Sequence, residues 1–93
     1  MIKNIIKKSI DFYGKDIQSI VCMEECSELI QCISKELRGK SDIAHLTEEM
    51  ADVLICVEIL KQIYNISDEE LNNWIKYKQE RILNRIKGDI END

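Results

Sequence analysis

Apolar residues recur along the chain at intervals of three and four, the period that turns one side of an α-helix toward a core. The first run, from Ile2 to Tyr13, gathers Ile2, Ile5, Ile6, Ile10 and Tyr13 near one stripe, and Gly14 supplies its stop. A second, from about Asp16 to Arg38, carries Cys22, Cys26, Leu29, Ile30, Ile33 and Leu37 on one face and ends at Gly39. Ser41 or Asp42 can accept hydrogen bonds from the first free amides of a third helix. That helix should reach about Tyr64, with a stripe of Leu46, Met50, Val53, Cys56, Val57, Leu60 and Tyr64. Ser67 and Glu70 then form a capping box, in which each side chain satisfies a backbone amide at the other position. The fourth helix carries Leu71, Trp74, Ile75, Lys78, Ile82 and Ile86, and Gly88 precedes a polar tail, Asp89 to Asp93, expected to fray.

Composition narrows the class. Proline is absent, there are three glycines and few aromatic residues, so the turn punctuation of an all-β chain is missing. The prediction is an all-α single domain spanning residues 1–93. A chain this short buries a modest core, which points to a four-helix arrangement completed by homo-oligomerisation. No apolar stretch approaches the ~20 residues of a membrane span and no secretion signal is evident, so the expected location is cytoplasmic, with no membrane partner. A net charge of -5 argues against a nucleic-acid partner, whose phosphates call for a basic surface. Lys3, Lys7 and Lys8 read as a solvated helix face. Cys22, Cys26, Cys32 and Cys56 lie in helical patterns without zinc-ligand spacing, and read as free thiols.

Four acids break the amphipathic pattern. At about 100° per residue, Glu25 and Glu28 fall at the border of the apolar face of helix two, whereas Glu24, Ser27 and Gln31 point away. On helix three, Glu49 and Asp52 fall inside or beside the stripe, with Glu58 outward. Residues three apart are neighbours on a helix, so each helix offers one carboxylate pair, and antiparallel packing would bring the four together. Mutually repelling buried carboxylates are costly unless a cation joins them. Magnesium suits an all-oxygen set, with manganese as a substitute. The Glu-x-x-His spacing of di-iron carboxylate bundles is absent. The single histidine, His45, sits one turn before Glu49 and can hydrogen-bond it or a phosphate, or be a satisfied structural residue.

Glu24-Glu25-Cys26-Ser27-Glu28-Leu29, followed by Glu48-Glu49-Met50-Ala51-Asp52-Val53-Leu54, resembles the paired signature of the MazG-like nucleoside triphosphate pyrophosphohydrolases. The likeness runs from about Gly14 to Ile86 and includes Gln18, a basic end to helix two at Lys35 and Arg38, and Lys78, Arg81 and Arg85 on helix four. It implies an all-α MazG-like bundle, homodimeric or homotetrameric, that hydrolyses a nucleoside or deoxynucleoside triphosphate to monophosphate and pyrophosphate. Glu25, Glu28, Glu49 and Asp52 would hold Mg2+, and Glu25 or Glu28 would activate water. Gln18, Lys35, Arg38, Lys78 and Arg81 would contact substrate, the basic residues gripping phosphates that the acidic surface otherwise repels. Two alternatives stay open: phosphoribosyl-ATP hydrolysis, although the Lys-x-Gly-Glu-Glu lead-in is missing, and a non-catalytic helical homodimeric interaction module.

Overall fold

In a computed structural model that describes residues 3–92, the chain forms four α-helices and, among those residues, no strand. They are α1 (Lys3–Tyr13), α2 (Lys15–Leu37), α3 (Ile43–Ile63) and α4 (Asp68–Asn92). Ile2 and Asp93, assigned from the sequence to the first helix and to the tail, lie outside the described residues.

The breaks follow from backbone chemistry. Gly14 (φ 89°) and Gly39 (φ 77°) occupy the left-handed region that a β-carbon disfavours, which ends α1 and turns the chain after α2. Asp42 caps α3 by accepting from the His45 amide at 3.0 Å, while Ser41 instead donates to Glu36 Oε1 at 3.2 Å. Before α4, Ser67 Oγ accepts from the Glu70 amide at 3.0 Å and Glu70 Oε1 accepts from the Ser67 amide at 3.2 Å, the reciprocal box expected. Gly88 departs from expectation. It adopts no positive φ and α4 runs through it to Asn92, because a glycine ends a helix only where the chain turns left-handed.

Helices α2 and α3 form the main contact, and α1 packs on both. The core lies where the three meet: Ile6 of α1, Cys22 of α2, and Cys56, Ile59 and Ile63 of α3, with Ile10 and Leu60 against it. The faces in contact are rotated from those predicted. On α2 the buried residues are Gln18, Cys22 and Cys32, and on α3 they are Glu49, Cys56, Ile59 and Ile63. Much of the predicted α2 stripe is exposed instead, including Cys26, Ile30, Ile33 and Leu37, whereas on α3 Leu46, Val53, Cys56, Val57 and Leu60 are buried or half-buried as predicted and Met50 and Tyr64 are exposed. Periodicity sums every apolar face of a helix into one direction; α2 and α3 each have more than one, and only one meets the other helix.

Helix α4 stands apart, with a backbone that approaches none of the other three helices. It is tied through its first residue, as Asp68 pairs with Lys61 of α3 and with Lys3 of α1, the latter at 3.6 Å. Trp74, Ile75, Tyr77, Ile82, Leu83 and Ile86 are all exposed along it. The radius of gyration, 16.9 Å, exceeds the roughly 12 Å of a compact chain this long because this helix projects as an arm.

Candidate metal centre

The α2–α3 contact gathers carboxylates. Glu25, half-buried on α2, and Glu49 and Asp52, on α3, each place an oxygen so that all three lie within 4.8 Å of one another. The two helices run antiparallel, so the Glu25 turn falls opposite the Glu49–Asp52 turn. Glu25 Oε2 and Glu49 Oε2 are both buried without a hydrogen-bond partner. Unpaired buried carboxylate oxygens are costly, and a ligand supplying positive charge at this point would offset that cost. Six oxygen ligands around magnesium or calcium span about 4–5 Å, which matches the separation of these side chains.

Burial and crowding raise the pKa of two of the acids, Glu25 and Glu28. Burial, then the close approach of the Glu49 carboxyl and the charge of Asp52, push Glu25 up from 4.5 to about 7. Glu28, exposed one turn later, is shifted upward first by the neighbouring Glu49 carboxyl. Three residues from Glu25 on the same helix, it borders the three-carboxylate group without joining it. His45 Nε2 lies 3.4 Å from Glu49 Oε1, and His45 Nδ1 lies 3.6 Å from Cys32 Sγ.

The other residues singled out in the sequence are dispersed. Gln18 is buried two turns before Glu25, about 10 Å along the helix, where its Oε1 accepts from Ser9 Oγ at 2.9 Å and joins α1 to α2. Lys35 and Arg38 are exposed at the far end of α2, and Arg38 Nε donates to the Ser34 carbonyl at 3.3 Å. Lys78 and Arg81 lie on the projecting arm, over the rings of Trp74 and Tyr77 at 6.0 Å each, and within one chain they are not brought to the carboxylates. Sequence reasoning did not find the link from Cys32 to His45. Their separation of thirteen residues carries no helical signal, since the contact crosses between two helices.

Residues 18–82 match the family model of the MazG nucleotide pyrophosphohydrolase domain. The chain belongs to the MazG family. The match takes in both acid pairs and most of the arm, so the carboxylates that converge between α2 and α3 are those of the MazG signature resemblance. Neither a curated protein nor a solved structure matches the chain. The MazG assignment accounts for the all-helical architecture and supports nucleotide pyrophosphohydrolase activity in general. No helix among the described residues is long and apolar enough to cross a membrane.

Proposed function

We propose that this MazG domain hydrolyses nucleoside or deoxynucleoside triphosphates to the monophosphate and pyrophosphate with Mg2+, and that Mn2+ can replace it. The observation that carries the reading is the convergence of Glu25, Glu49 and Asp52 with two buried oxygens left unpartnered. A cation bound there supplies positive charge to the phosphate oxygens and to the leaving pyrophosphate. Glu28 borders the same site without belonging to the three-oxygen group, so we assign it, ahead of Glu25, to orienting the attacking water and taking its proton. Water adds to the α-phosphorus, the bond from that phosphorus to the bridging oxygen breaks, and pyrophosphate leaves with the electron pair.

The basic residues act from a second copy in this proposal. The accessible surface of one chain is 7566 Å², against about 5600 Å² for a compact monomer of its mass, an excess of the size that a stable dimer or tetramer removes. The exposed apolar side chains of α2, α3 and the arm supply the surface to be covered, which supports a homodimer or homotetramer. Lys78 and Arg81 on the arm of one protomer would then clamp phosphates at the carboxylates of its partner, with Lys35 and Arg38 adding charge. Gln18 keeps a substrate role only indirectly, by holding α2 against α1.

The test is incubation with the common ribo- and deoxyribonucleoside triphosphates and Mg2+, with chromatographic detection of monophosphate and pyrophosphate. Wild-type protein should turn over at least one triphosphate, and Glu49→Ala and Asp52→Ala should not, with helical circular dichroism retained. Turnover of phosphoribosyl-ATP alone would redirect the substrate assignment, and absence of turnover with every nucleotide would leave the helical interaction module.

A further inference from the structure

A line of three side chains leads from the carboxylate group into the α2–α3 interface. Glu49 is 3% exposed, and its two oxygens have different surroundings: Oε1 faces His45 Nε2 at 3.4 Å, while Oε2 is buried and unpartnered. The opposite ring nitrogen, His45 Nδ1, faces the thiol of Cys32, 4% exposed, at 3.6 Å across the helix pair. We propose that Cys32 is a positioning residue whose thiol donates to His45 Nδ1, so that the imidazole proton stays on Nε2 and holds Glu49 with Oε2 free to bind the cation. This rests on the metal-site reading above.

In the neutral form of the imidazole the three groups are interdependent. Such a ring has one N–H and one lone pair, and the hydrogen bond at each nitrogen selects the tautomer. An ionised carboxylate can only accept, so a bond between His45 and Glu49 requires the proton on Nε2. That leaves Nδ1 as an acceptor on a half-exposed ring, and the buried thiol of Cys32 is the donor beside it. Burial, and then the charge of Glu49, raise the Cys32 pKa above its ordinary 9.0, so the sulfur keeps its proton. With the opposite tautomer, a lone pair on Nε2 would face Glu49 Oε1 and the carboxylate would be free to rotate. Groups that hydrogen-bond a metal ligand in this way typically alter metal affinity by about 10–100-fold.

The experiment uses the full chain without metal for the first readout and Mn2+ alone as the probe for the second. Long-range 15N–1H correlation of the His45 ring should show the Nε2–H tautomer in wild type, a mixed or inverted population in Cys32→Ala, and the wild-type pattern in Cys32→Ser, which keeps a donor. Mn2+ affinity by calorimetry should fall about 10-fold in Cys32→Ala and be retained in Cys32→Ser. In a His45→Gln background, where the carboxamide donates to Glu49 without help from the thiol, Cys32→Ala should cause no further loss. An unchanged tautomer in Cys32→Ala, or equal loss of affinity in both backgrounds, would overturn the proposal in favour of a packing role. A wild-type protein that binds no divalent ion would sink the metal reading alone, and the tautomer of the metal-free protein would still decide the role of Cys32.

Discussion

Removing the charge of Glu25 should stabilise the metal-free protein, and the size of the gain follows from the site. A carboxyl held at about 7 in the fold and near 4.5 when unfolded disfavours the folded state at alkaline pH by about 3 kcal/mol at most. Glu25 is half-buried, and solvent screening reduces this to about 1–2 kcal/mol. Below pH 4.5 the group is protonated in both states and contributes no pH dependence. Between 4.5 and about 7 the folded protein retains a proton that the unfolded chain has released, so stability falls as pH rises, and above 7 the full penalty applies. Glu25→Gln is close to isosteric and removes this term. In chelator, its advantage over wild type should be near zero at pH 4.5 and reach about 1–2 kcal/mol at pH 8, or roughly 5–15 °C in melting midpoint. Thermal melts at several pH values and one protomer concentration measure this, because association alone moves a midpoint. Added Mg2+ should raise the midpoint of wild type and leave the variant nearly unmoved. If the variant gains nothing at pH 8, or gains the same amount at every pH, the argument from crowded carboxylates is wrong.

Other consequences can be checked separately. Ser67→Ala removes the cap of α4 and should cost about 1 kcal/mol in denaturant melts. Gly88→Ala should raise the helicity and stability of the arm by up to about 1 kcal/mol, since the glycine lies within a helix, has no positive φ, and has open space around it. Ile30→Glu places a charge on the exposed apolar face of α2 and should dissociate the proposed oligomer, seen as a fall in mass by light scattering. The same variant should make Cys26 react faster with a thiol reagent, whereas Cys22, Cys32 and Cys56, buried within the chain, should react only on unfolding.

Much of this molecule is decided locally. The helices, the stops at Gly14 and Gly39 and the Ser67–Glu70 box depend on neighbours a few residues apart, and so could be read without the fold. The acid pairs could be recognised in the same way, because carboxylates three residues apart near an apolar stripe are anomalous wherever the helix packs. Tertiary structure alone decided which face of α2 meets α3. That choice buries Cys32 and leaves Ile30 and Leu37 open, a distinction the apolar period cannot make when a helix has several apolar faces. It also decided that Cys32 reaches His45, through a register between helices that no local spacing encodes. The arm is the clearest case of the difference: its amphipathic pattern was legible, yet Trp74 and Ile82 stay exposed on a helix whose backbone approaches none of the other three.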